Sequence, residues 1–122
     1  MMKYIQRPDT EEFYTDERCH ISELLNDDAS PQLSLARCRV ERDITTQLHA
    51  LDKTEETYFI EEGSGIIDDG KGNLMEVKAG DSIKIPENHP QRIRNTGQND
   101  LVFLVICRPR FLPECYLNLE NS

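Results

Sequence analysis

His49, Glu56 and Tyr58 are residues whose types and spacing could do chemistry. On a pleated strand His49 and Leu51 point the same way, and on a following antiparallel strand Glu56 and Tyr58 share a face. If both faces line one cavity, an imidazole and a carboxylate meet in a mostly apolar interior. That is costly unless the two are paired, hydrogen-bonded or holding a cation. Tyr58, one step along from Glu56, offers a phenol that could donate to a substrate oxygen, or an aromatic filler whose hydroxyl reaches the rim. With 3 histidines in the chain, a metal cage of histidines alone is excluded, and any metal site must recruit other ligand types.

The elements that would position these residues are strands and tight turns. Ala36, Cys38 and Val40 alternate with Arg37, Arg39 and Glu41, the period of a half-buried strand. Thr45, Gln47, His49 and Leu51 form one face of the next, and Glu56, Tyr58 and Ile60 one face of another, which stops at Gly63-Ser64-Gly65. Further turns fall at Asp68 to Asn73, Ala79-Gly80-Asp81 and Thr96 to Asn99, with strands over Ser82 to Ile85 and Gln91 to Asn95 between the last two. Leu101 to Cys107 is apolar on both faces and should be a central, doubly covered strand. Helical signal is confined to one turn near Ser22 to Leu25 and another after Pro113. Turns at such close spacing predict an all-β sandwich or barrel.

Composition narrows the function classes. The chain has 122 residues and a net charge of -9, from 14 Lys+Arg against 23 Asp+Glu. It is one domain, and a phosphate backbone or anionic membrane surface would repel it, so neither nucleic acid nor membrane is an expected partner. No apolar run could span a bilayer and the start turns polar early, so a cytoplasmic location is expected. Cys19, Cys38, Cys107 and Cys115 have no paired spacing and read as free thiols, Cys38 and Cys107 as small buried hydrophobes. His89, between prolines, reads as solvent-facing, His20 as structural or superficial, and Glu55 as solvated. Arg92 and Arg94 point away from the cavity, and Arg108 and Arg110 balance surface acids.

These residues resemble the cupin family, small β-barrels of jelly-roll type. Asp43, His49-Ala50-Leu51, Glu56 and Gly63 are similar to its first motif, and Gly80, Pro86-Glu87-Asn88, Gln91 and Asn95 to its second. Single-domain cupins of the cupin 2 type, including those resembling mannose-6-phosphate isomerase, are the nearest general comparison. The resemblance implies a jelly-roll barrel over 33–112, an N-terminal segment 1–32 packing on it, and a C-terminal tail 113–122. Of the family's usual metal ligands His49 and Glu56 match, whereas Leu51 and Gln91 replace histidines. Asp43 and Asn88 stand where the motifs have glycine, and both residue types tolerate turns.

Leu51 has no ligating atom, and the Gln91 side-chain oxygen is a weak, neutral ligand. A metal held by His49, Glu56 and Gln91 would keep open positions for water or substrate, with Mn, Fe, Zn and Ni all admissible. The other reading is a barrel in which those three side chains hydrogen-bond one another. Function divides the same way. One expectation is metal-assisted isomerisation or oxidation of a sugar or small organic acid, with Glu56 or Tyr58 moving a proton. The other is a non-catalytic module that binds or senses a small molecule. A barrel with an exposed edge pairs with another copy, so a homodimer is expected.

Overall fold

The computed structural model describes residues 1–8 and 11–120. In chain order the strands are β1 (Phe13–Tyr14), β2 (His20–Leu25), β3 (Ser34–Val40), β4 (His49–Leu51), β5 (Glu55–Glu62), β6 (Ser64–Asp68), β7 (Leu74–Lys78), β8 (Ser82–Ile85), β9 (Arg92–Asn95), β10 (Leu101–Arg108) and β11 (Tyr116–Asn118). The helical component among the described residues is a single 3-10 turn over Pro113–Cys115.

A six-stranded sheet runs β1-β2-β3-β10-β5-β8, and two smaller sheets run β7-β6-β9 and β11-β4. Isolated bridges from Thr45 to Arg94 and from His49 to Gln91 set β4 alongside β9, so the smaller sheets form one continuous face. The core draws on both faces: Val40, Ile60, Ile93 and Leu101 are fully buried and Phe103 nearly so. This is the expected jelly-roll barrel. β10 is central as expected, between β3 and β5, but its double covering is only partial. Leu101, Phe103, Val105 and Cys107 are buried on the core side, whereas on the other side Val102 is buried and Leu104 and Ile106 are half-buried.

Two positions that bear glycine in the family motifs show why their substitutes work. Asp43 and Asn88 both take the left-handed backbone, at φ 66 and φ 64, a region that Asp and Asn enter more readily than other side chains do. Gly63 needs glycine more strictly. Its φ is 88, and a Cβ there would come 3.0 Å from the Asp100 carbonyl oxygen.

Two expectations are corrected. Ser22 to Leu25 is not a helical turn but the body of β2, which pairs antiparallel with β3 from His20↔Arg39 to Leu25↔Leu35. Long-range pairing overrides the local cue. The strand expected from Thr45 is regular only over His49–Leu51, Thr45 making an isolated bridge to Arg94, and Thr46 rather than Thr45 is buried. The reason is a substitution in the ladder: the Ile93 amide donates to the Thr46 hydroxyl at 2.9 Å, while the Thr46 amide donates to the Ile93 carbonyl at 2.9 Å. No helix among the described residues is long and apolar enough to cross a membrane.

Candidate functional site

The site starts from a backbone pair. His49 donates its amide to the Gln91 carbonyl at 3.0 Å and Gln91 returns the bond to the His49 carbonyl at 2.8 Å. Residues directly opposite in an antiparallel pair project to the same side, so the two side chains meet. Glu56 and Tyr58 arrive on β5, whose neighbours β8 and β10 fix them by the registers Glu56↔Ile85, Tyr58↔Ile83 and Tyr58↔Val105. His49, Glu56, Tyr58 and Gln91 are all buried, none more than 6% exposed.

Hydrogen-bond chemistry fixes the order of this network. The Gln47 carbonyl can only accept, so His49 Nδ1, 2.8 Å away, carries the imidazole hydrogen. His49 Nε2 is then an acceptor, and the Gln91 amide donates to it at 2.8 Å. The same NH2 donates to Glu56 Oε1 at 2.8 Å, and the Tyr58 hydroxyl donates to Gln91 Oε1 at 3.0 Å. Every polar atom of Gln91 is thereby satisfied. Among the described residues only His20 has a side-chain polar atom both sealed and unpaired. The second Glu56 oxygen, which has no protein partner, is therefore open to the cavity that Glu56 lines.

Glu17, which lies outside the barrel segment, completes the site. Its Oε1 lies 4.0 Å from His49 Nε2, nearly matching the 3.9 Å from that nitrogen to Glu56 Oε1. Burial pushes the Glu17 carboxyl up to about 7, against the opposing effect of the Tyr116 hydroxyl. Burial, then the charge of Glu17, pushes Glu56 up to about 8, while the Gln91 amide holds it back. Burial lowers His49 below its ordinary range, so the imidazole is neutral, and it holds Tyr58 as a phenol. Tyr116, on β11, stacks on the His49 ring.

These groups face a cavity of about 260 Å³. Phe13, Thr15, Glu17, Cys19, Ile21 and Glu23 all line it, a run of alternate residues that crosses the β1–β2 turn without losing phase. That alternation was the signal in the sequence that could have found Glu17. Tyr116 left no comparable trace, because its place depends on β11 pairing with β4.

Of the other residues singled out, His89 is exposed, and Glu55 is partly exposed and 3.5 Å from Lys84. Arg92 pairs with Asp68 at 3.0 Å, Arg94 is exposed, and Arg110 pairs with Asp28 at 2.7 Å. His20 is partly buried between Glu12 and Glu41. All four cysteines are free thiols, with Cys38 and Cys107 buried.

His49, Glu56 and Gln91 thus come together, but the end of Gln91 turned toward the other two is its NH2, a donor and not a ligand. A cation would need that place, with the amide reversed and its oxygen taken from Tyr58. Among the described residues no three His, Cys, Asp or Glu side chains are arranged to hold a metal ion. As arranged, the residues do not fit Mn, Fe, Zn or Ni, and what they form is a hydrogen-bonded pocket.

Residues 38–107 match the sequence profile of the cupin domain. The chain is 39% identical over 83 residues to the uncharacterized protein MJ1618 of Methanocaldococcus jannaschii, an alignment covering 66% of this chain and 64% of that one. The match thus spans less than two thirds of that relative's length. Among solved structures, the polyketide cyclase RemF from Streptomyces resistomycificus superposes with a TM-score of 0.77 at 24% identity, covering 100% of this chain and 88% of that one. A predicted oxalate decarboxylase from Thermotoga maritima superposes at 0.71 with 26% identity, covering 81% and 90%. With the profile matched over more than half its length and the barrel in place, the chain belongs to the cupin family.

Proposed function

We propose that this chain binds a small molecule inside the barrel and exchanges protons with it, Glu17 serving as the base and Glu56 as the acid. The observation that carries this reading is the placing of two carboxyls at 4.0 and 3.9 Å from one buried imidazole nitrogen. Such groups are costly to bury in an apolar interior and are of use where a proton must move near neutral pH. Glu56, at about 8, is mostly protonated at pH 7 and can donate through its open oxygen, whereas Glu17, at about 7, is divided between its two forms. Tyr58 is a positioning residue here: its hydroxyl is committed to Gln91, and so it orients the amide that holds Glu56 and His49.

Isomerisation or oxidation of a sugar or small acid through a metal would need a cation in the seat that the Gln91 NH2 fills between His49 and Glu56. The polyketide cyclase of the same fold supports small-molecule chemistry in such a barrel without specifying the reaction. The complete pairing of Gln91 favours the second reading, a binding module without turnover.

A generic proton-abstraction probe separates the two. In 5-nitrobenzisoxazole a base removes the ring C–H proton as the N–O bond breaks, giving a cyanophenolate. The reading expects acceleration over acetate, rising with pH through about 7, and a loss of about 100-fold in Glu17→Gln. Acceleration unchanged in Glu17→Gln overturns the assignment of the base. Binding without acceleration leaves the binding module.

A further inference from the structure

The cavity has acids and no cations in its walls. Glu17, Glu23 and Glu56 line it, and no Lys or Arg does so among the described residues. Arginines on the elements around the cavity are engaged elsewhere. Arg110, whose charge acts on Glu23, is held by Asn26 at 2.9 Å and Asp28 at 2.7 Å. Arg18 is bonded through both terminal nitrogens to Glu120 at the far end of the chain, and Arg39 to Glu12 and Asp100. His49 gives its one hydrogen to the Gln47 carbonyl and offers the cavity no positive charge.

The remaining wall is mostly apolar, broken by the hydroxyls of Thr15, Ser34 and Thr46 and by the thiols of Cys19, Cys38 and Cys107, all of them uncharged groups. Phe13, Tyr58, Phe103, Phe111 and Tyr116 all contribute to a space of about 260 Å³. Aromatic rings present flat faces of negative quadrupole, which stack on planar ligands and attract cations. An anion entering this space would lose its water and find carboxyls in place of a counter-charge. The net charge of -9 adds repulsion of the same sign on approach.

We propose that the cavity selects flat aromatic molecules that are uncharged or cationic and excludes anionic ones. The inference rests on the small-molecule reading above and narrows it, setting aside the small organic acids that the family resemblance implied.

Three probes of one shape test it by calorimetry at neutral pH: 1-naphthol, 1-naphthylmethylamine and 1-naphthoic acid, which are neutral, cationic and anionic respectively. The naphthol and the amine are expected to bind at least about ten-fold more tightly than the acid. In Glu17→Gln, shown to be folded by circular dichroism, the amine should weaken and the acid should gain. Equal or tighter binding of 1-naphthoic acid overturns the charge selection alone and leaves the small-molecule reading intact. Selectivity that persists unchanged in both Glu17→Gln and Glu23→Gln overturns its cause. If none of the three binds, the cavity reading falls together with it.

Discussion

Tyr116 lies flat on His49, ring centroids 4.9 Å apart and planes inclined by 15°. Tyr116 also donates its hydroxyl to the side-chain oxygen of Gln47, the residue whose backbone carbonyl fixes the His49 tautomer. A residue at the end of the chain thus holds the imidazole through its ring and through its hydroxyl. Tyr116→Phe keeps the ring and loses the hydroxyl bond, a cost of about 1 kcal/mol. Tyr116→Leu also loses the stack and part of the cavity wall, for about 2 kcal/mol. Urea unfolding of the two variants measures the difference, and equal costs would show that the stack adds nothing.

Stability should decline with pH through the neutral range. Glu17 and Glu56 have folded-state values of about 7 and about 8 against an ordinary 4.5, so the native chain keeps protons that the unfolded chain releases. Their contribution is complete below about 4.5 and is lost as pH rises through those folded values. His49 runs the other way: its value is lowered from 6.5, so its cost appears as pH falls below 6.5 and is absent above. From 6.5 to about 8 the carboxyls act alone, and the fall should be roughly 1 kcal/mol per pH unit for each one still titrating. It should level out above about 8, and Glu56→Gln should abolish the last part of it. Urea midpoints across this range measure it, and a flat profile would place both groups at ordinary carboxyl values.

The barrel was legible because its signals are local. β10 reads as a buried strand from its own residues, and the resemblance of the segments around His49, Glu56 and Gln91 to the two cupin motifs implies that the three side chains meet, as they do. Tyr116 was not legible as a site residue, since it is delivered by β11 pairing with the distant β4. Glu17 carried the alternating signal of its hairpin, but only the pairing of β2 with β3 sets that hairpin against the cavity. The segment around Ser22 misled for the same reason: its capping-type serine and paired leucines suit a helical turn, and only the partnership with β3 makes it a strand. The orientation of the Gln91 amide was also beyond the sequence. It depends on the Tyr58 hydroxyl and the imidazole tautomer together, neither of which a residue spacing records.

That amide gives a prediction about cations. With its NH2 between His49 and Glu56, added Mn, Zn or Ni should leave the melting temperature of the native chain unchanged. Gln91→His replaces the donor with an imidazole beside a second imidazole and a carboxyl, three ligands of two types suited to those ions. The variant should gain a cation-dependent rise, corresponding to about 2.7 kcal/mol when the ion exceeds its Kd 100-fold. Thermal melts with and without chelator read both halves. A cation-dependent rise in the native chain would show that the Gln91 amide turns to admit a metal.

Asn95 closes the second motif, and its task is structural. It is fully buried, yet each polar atom of its side chain is engaged. Its Nδ2 donates to the Val40 carbonyl at 3.0 Å and the Asn99 carbonyl at 2.8 Å, and its Oδ1 accepts from the Gly97 amide at 2.9 Å. One side chain therefore ties the 96–99 turn to the end of β3. Asn95→Ala strands two carbonyls and an amide at once, and unpaired buried groups cost about 1–3 kcal/mol each when no water replaces the partner. A loss of about 3 kcal/mol is expected, allowing for water entering the space. Asn95→Asp keeps the acceptor and removes both donors, so it should cost at least as much at neutral pH, where a buried carboxylate would face two carbonyl oxygens. Acidification should narrow the gap between the two variants by protonating that carboxylate. Urea unfolding at neutral and acidic pH measures this, and an Asn95→Asp variant as stable as the parent at neutral pH would show that the donated bonds do not hold the turn.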